Sequence, residues 1–188
     1  MTSINTIPVT LSELSGQYLI DPAHTRIGFV ARHAMVTKVG AFNEFEGSAF
    51  IDGTDFTKST GQLSIQAACI DTRNAQRDAH LRSNDFLAME KYPEITFVAT
   101  DVRQTGATTL ELTGDLTIRG VTNSVTIPFE FEGAAIDPFG NLRVGFEGSA
   151  VINRKDYGIT WNAALESGGV LVSDKVTLEF EVSAIKTA

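Results

Sequence analysis

Beyond Gly16 the chain alternates apolar and polar residues almost without a break, and no other feature limits its possible folds so sharply. Alternation with a period of two sends every second side chain to the same face of a strand. The run at 173–186 is the cleanest case. Val176, Leu178, Phe180, Val182 and Ala184 share one face, while Lys175, Thr177, Glu179, Glu181 and Ser183 share the other. A strand with one dry and one wet face suits an antiparallel sheet packed on one side. Eight such runs can be read, at about 24–34, 40–52, 61–71, 94–103, 108–118, 121–133, 141–152 and 173–186.

The fifth and sixth runs also specify a register. Arg119-Gly120 reads as a two-residue hairpin turn, which sets Ile118 opposite Val121. Counting back places Leu116 against Asn123, Gly114 against Val125, Leu112 against Ile127 and Leu110 against Phe129. A one-residue slip would set leucines against threonines throughout. Asn123 is the one polar residue in the row and belongs near a rim. Eight antiparallel strands with short links can close on themselves and so remove their edges. The fold expected is all-β, an extended eight-stranded antiparallel barrel.

Such a barrel is either filled by side chains or just wide enough for one slim ligand. Large inward residues include Ile27, Phe29, Phe45, Ile65, Phe97, Phe146 and Phe180. Small ones are Ala31, Gly47, Ala49, Ala67, Cys69, Ala99, Gly114, Gly148, Ala150 and Ala184. A close-packed interior would favour Leu, Ile and Val at mid-strand, so this many small side chains imply space along the axis. Large and small residues interdigitating to fill the taper is the alternative that composition leaves open.

Two stretches break the alternation. Asp71 to Phe97, DTRNAQRDAHLRSNDFLAMEKYPEITF, crowds charge into its first half and apolar residues into its second. Ser83 reads as a helix N-cap and Tyr92-Pro93 as the stop. This predicts a short helical cap at about 75–91 laid across one barrel end. Asn153 to Val172 reads as a long loop at an open end, bent at Gly168-Gly169 and carrying the only tryptophan, Trp161. Trp161 reads equally as a plug of the rim or as a ligand contact. Residues 1–16 read as a loosely held polar extension with a short turn around Leu11 to Leu14, and 17–188 as a single domain, which 188 residues suit.

A net charge of −8 argues against nucleic-acid or anionic-membrane partners, which need a basic face. No stretch approaches the ~18 apolar residues of a membrane helix, so no stable membrane insertion is expected. Cys69, the only cysteine, excludes an internal disulfide and a cysteine zinc site and reads as a small buried core residue. The N-terminal residues show neither a basic region nor an apolar core typical of a secretory signal, so a cytoplasmic location is expected.

His24 and His33 are nine residues apart on one predicted strand, facing opposite ways and roughly 30 Å apart at ~3.3 Å per residue. They cannot share a metal, and local hydrogen bonds are expected for each histidine. Arg77 and Asp78 read as ion pairs pinning the helix to the barrel. No G-x-S-x-G elbow, phosphate-binding glycine loop or H-E-x-x-H occurs. No catalytic residue, metal or cofactor is expected.

Several blocks keep a recognisable order: Y-L-I-D-P-A-H-T-R-I-G-F at 18–29 followed by His33, F-N-E-F-E-G at 42–47, R-D-A-H-L-R-S-N-D-F at 77–86, K-Y-P-E-I-T-F at 91–97, G-D-L-T-I-R-G-V-T at 114–122 and N-R-K-D-Y-G-I at 153–159. With these motifs the chain resembles the YceI-like family of lipocalin-like, polyisoprenoid-binding barrels. That resemblance implies an extended lipocalin-like barrel holding a long apolar ligand, and a homodimer. Relatives are often exported, and Leu87 stands where many carry a second Phe. The expected function is therefore non-enzymatic carriage or sequestration of a long-chain lipophilic molecule of isoprenoid or quinone type. The candidate ligand contacts are Phe29, Phe45, Phe97, Leu112, Ile127, Phe129, Phe146, Trp161 and Phe180. Two alternatives stay open: an enzyme using His80 or Asp78 as acid or base on a lipophilic substrate, and a filled-barrel dimeric interaction module.

Overall fold

The structure, a computed structural model, describes residues 5–166 and 170–188. The bend expected at Gly168-Gly169 lies outside the described residues. In chain order the strands are β1 (Asn5–Ile7), β2 (Gly16–Ile20), β3 (Arg26–His33), β4 (Val36–Phe42), β5 (Phe45–Ile51), β6 (Thr60–Gln66), β7 (Ile70–Asp71), β8 (Glu94–Gln104), β9 (Thr109–Ile118), β10 (Val121–Ile136), β11 (Leu142–Asn153) and β12 (Val172–Lys186). One α-helix, α1 (Ala75–Arg82), lies between β7 and β8.

The β9–β10 hairpin has the register read from its sequence, with Ile118 against Val121, Leu112 against Ile127 and Leu110 against Phe129. Arg119 and Gly120 both have positive φ, 51° and 71°, the left-handed geometry that keeps such a turn in step with strand twist. The ladder runs β10-β9-β8-β6-β5-β2-β12, and β11 bridges β12 back to β10. This ring of eight antiparallel strands closes the barrel.

Three ring positions are each shared by two strands; the sequence reading had taken β4 with β5 and β6 with β7 as the single runs 40–52 and 61–71, and had not counted β2 as a strand. β2 pairs with β12 at residues 184–186, and β3 takes over at 176–181. A 3-10 turn at Pro22–His24 separates them, so His24 lies on that turn rather than on the strand. β4 follows β3 by a tight turn and lies beyond β5. β7 follows β6 after a 3-10 turn at Ala67–Cys69, in which the Cys69 thiol donates to the Gln66 carbonyl. Cys69 is thus half-buried at a turn, not sealed in the core.

The β6–β8 ladder stops at Gln66 and Glu94, and β7 leaves to pair with β4. Residues 72–93 close the opening this leaves. Helix α1 starts at Asn74, whose side chain accepts from the Arg77 N–H, and ends at Ser83, whose hydroxyl donates to the His80 carbonyl. Ser83 is therefore the C-cap, not the N-cap, and the helix covers only the first part of the predicted 75–91. Successive turns after it bury Phe86, Leu87 and Ala88. The predicted ion pairs of Arg77 and Asp78 are also absent among the described residues. Both grip Thr72 instead. Asp78 accepts from its N–H and hydroxyl, and Arg77 donates to its hydroxyl and carbonyl.

The opposite, lower end is closed by the N-terminal residues. Leu11 and Leu14 are each 1% exposed and pack with Tyr18, Phe56 and Phe131. The Tyr18 hydroxyl donates to the Leu14 carbonyl, and β1 pairs with the end of β10. The expected loose extension is therefore, over the described residues, a fitted plug. Two leucines on one 3-10 turn are too short a pattern to register as periodicity.

Candidate functional site

The inward faces of the ring enclose two apolar chambers set end to end. The lower one has a volume of about 190 Å³ and the upper, under α1, about 160 Å³. Ile27, Leu63, Phe97, Ile127 and Phe180 border both and form a waist between them. Each chamber exceeds the ~150 Å³ of an apolar cavity that stays dry and admits an aromatic guest. Leu110 lines the lower chamber and Ile118 the upper. Eight residues of tilted strand separate them, roughly 20 Å along the axis.

Small residues open this space in two different ways. Ala49, Gly61 and Ala99 line the lower chamber and leave its wall thin because they carry a methyl group or no side chain. Gly114, Gly148 and Gly40 instead seat aromatic rings. A Cβ at Gly114 would collide with the Phe97 ring, one at Gly148 with Phe129, and one at Gly40 with Phe29. Gly148 lies between Phe129 and Phe180 in the ladder, and those rings tilt together over it at 6.0 Å. The rings lie flat on the wall because the wall has no side chain there, which leaves the axis clear.

Of the nine residues proposed from sequence, Leu112, Phe129 and Phe146 line the lower chamber and Phe29 lines the upper. Phe97, Ile127 and Phe180 are at the waist. Phe45 lies in the upper core beside Ile65, outside either lining. Trp161 sits at the upper rim, its ring edge-on to His80 at 4.7 Å and tilted against Phe86 at 5.3 Å. It ties the 158–166 loop to the helical segment.

Two polar residues that the sequence reading did not single out reach the upper chamber. Arg154 is 4% exposed and follows Asn153, which caps a 3-10 turn at Arg154–Tyr157. Its guanidinium donates to the carbonyls of Ile159, Trp161, Ser173 and Val172. Burial pulls its pKa down, and the Asp174 carboxylate 3.7 Å from the guanidinium works the other way. Arg154 therefore holds the end loop against β12. Among the described residues the Tyr157 hydroxyl is buried without a well-formed hydrogen bond; burial raises its pKa, and the Asn123 side chain beside it works the other way. The signal for both was a charged residue and an aromatic inside a turn motif, which single-sequence patterning cannot distinguish from surface residues.

The titratable groups proposed for catalysis are engaged elsewhere. His80 Nε2 lies 2.8 Å from Asp85 Oδ2, and the Asp78 carboxylate is taken by Thr72. His24 Nδ1 lies 2.7 Å from Asp21 Oδ2, as the expected local hydrogen bond. Among the described residues no three His, Cys, Asp or Glu side chains converge as a metal site. No helix of the described residues is long and apolar enough to cross a membrane.

Comparison with known proteins adds the ancestry of this architecture. A family model described as a YceI-like domain matches residues 18–184. A UPF0312 protein of Staphylococcus aureus is 38% identical over 169 residues, covering 89% of this chain and 95% of that protein. Among solved structures, Burkholderia cenocepacia BcnA superposes with a TM-score of 0.77 at 22% identity, covering 87% of this chain and 98% of that one. A polyisoprenoid-binding domain from Saccharophagus degradans superposes with a TM-score of 0.69 at 16% identity, covering 90% of this chain and 98% of that one.

Proposed function

This chain belongs to the YceI-like family, and on that premise we propose that it binds and carries, or sequesters, one long-chain lipophilic molecule along its barrel axis. The observation that carries this reading is the pair of apolar chambers meeting at the Phe97–Phe180 waist. Burying a methylene is worth about 0.8 kcal/mol, so about ten to twenty carbons offer a gross gain of roughly 8–16 kcal/mol. Ordering a flexible chain and losing rigid-body freedom removes much of it. Micromolar binding then needs no polar contact, and the lumen selects by length and width. An isoprenoid or quinone tail has the right form, and the name of the Saccharophagus degradans domain supports the isoprenoid class. Binding is favoured over turnover by His80 and Asp78, the candidate acid or base, being held by Asp85 and Thr72 outside the chambers. A homodimer acting in the cytoplasm belongs to the same proposal.

Native mass spectrometry of the purified protein tests it. We expect either a co-purifying lipid-sized mass or uptake of added polyprenyl or quinone chains by the apo protein. Ala99, in the thin lower wall, provides the control: Ala99→Trp fills the lower chamber and excludes chains long enough to need both. A wild-type protein that takes up neither chain class would sink the lumen as the site, and an Ala99→Trp variant that binds them as before would remove the lower chamber from it.

A further inference from the structure

The upper end of the barrel exposes apolar side chains that no contact within the fold requires. Met35, in the β3–β4 turn, is 87% exposed, Val36 56% and Val170 54%. The Ala34 N–H donates to the Leu171 carbonyl, which sets Val170 beside the turn, and His33 pairs with both Val36 and Val172. Single exposed apolar residues are ordinary. Here three gather at one tip, on strands whose Ala31, Val172 and Val176 line the upper chamber.

The charges around the tip indicate what covers it. Arg32 and Lys38 flank it, both exposed, and neither has a carboxylate within 4.0 Å among the described residues. Of the acids near the tip, Asp174 is answered by Arg154 and Lys155 and Glu166 stands exposed on the loop before Val170, while Glu130, Glu147 and Glu181 stand opposite one another away from it, on the outer wall of β10, β11 and β12. The net charge of −8, read from sequence as evidence against an anionic membrane, therefore conceals a cationic tip. A second copy could add a strand to β4, because β7 covers only Ala41 and Phe42 of its outer edge. Lys38, however, shares the inward face with Ala31, and an inward charge on an edge strand obstructs such pairing. Cations beside exposed apolar side chains suit shallow docking at a lipid interface. The unpaired backbone of the β4 edge limits that docking to headgroup depth.

Resting on the carrier reading, we propose that the Met35–Val36 tip with Val170 docks reversibly on an anionic bilayer and presents the upper chamber to lipid. Co-sedimentation with phosphatidylcholine vesicles, with and without about one-third phosphatidylglycerol, tests this. The wild type should bind the anionic vesicles and be released by salt. Met35→Ser/Val36→Ser and Arg32→Ser/Lys38→Ser should each weaken binding about tenfold or more. Phe139→Ser, at the exposed turn of the opposite end, should leave it unchanged. Uptake of a polyprenyl chain from detergent-free solution by the same variants reports the lumen separately, and it should stay at the wild-type level. Absence of vesicle binding by the wild type overturns the docking, as does loss through Phe139→Ser or retention in both tip variants. A Met35→Ser/Val36→Ser variant that turns a dimer into a monomer without vesicle binding by the wild type would assign the tip to a second copy and overturn it as well.

Discussion

Tyr157 is the residue whose local cost is clearest. A buried hydroxyl without a well-formed hydrogen bond carries a desolvation penalty of about 1–3 kcal/mol, and its ring packs in the upper core. Tyr157→Phe should therefore raise stability by about 1 kcal/mol, measured by urea unfolding. A loss of stability instead would show that the hydroxyl has a partner. Arg143 makes the opposite kind of contribution. It donates to Asp21 and Asp137, joining the β2–β3 kink to the β10–β11 turn. The Arg143 hydrogen bond, with His24 beside it, holds Asp21 down to about 2, and the Asn141 backbone N–H with Arg143 holds Asp137 to about 2. A carboxylate with a lowered folded pKa stabilises above its ordinary value near 3.8, and that contribution fades as pH falls towards the folded value. Acid unfolding should therefore deepen between about pH 4 and 2, and Arg143→Gln should move its circular-dichroism midpoint to higher pH.

At the scale of elements, both barrel ends are closed by short non-strand pieces. At the lower end the 3-10 turn Leu11–Glu13 presents Leu11 and Leu14 to Tyr18 and Phe56. Truncating a fully buried leucine loses its transfer energy and leaves a void. Leu11→Ala should cost roughly 2–5 kcal/mol in chemical denaturation despite lying before the matched domain. A cost under about 0.5 kcal/mol would show the plug to be dispensable. At the upper end, α1 carries mainly polar residues. The turns after it provide the apolar surface through Phe86, Leu87 and Ala88. The sequence marked 71–97 as a break in the pattern, of which 72–93 is not strand, but the helix was misplaced by taking Ser83 as its start. Serine favours both positions here: a side chain that can accept a first-turn N–H can also donate to a last-turn carbonyl, as Ser83 does.

For the whole molecule, the waist makes two chambers into one ligand-length device. If a single chain spans both, filling either end should shorten the longest ligand retained, and filling both should abolish binding. Ala99 lines the lower chamber and Ala31 the upper. Ala99→Trp and Ala31→Trp should each shift the retained masses in native mass spectrometry to shorter chains, with the double variant empty. Unequal effects, with one variant binding the full range, would place the ligand in a single chamber.

The strand pattern, the β9–β10 register and the inward set on β12 were legible in the sequence because a period of two assigns faces without knowledge of neighbours. The sequence also marked small residues as the source of interior space. Only tertiary structure separated glycines that seat a ring, such as Gly114 and Gly148, from alanines that thin the wall, such as Ala99. That difference depends on which strand lies alongside and which side chain leans across it. The Arg154 anchor to β12 and the Leu11–Leu14 plug were hidden for the same reason: they meet residues far along the chain that closure of the ring brings alongside. The Thr72 clamp is local, and it was hidden because an Arg-Asp pair in sequence does not show that both side chains turn back onto one threonine.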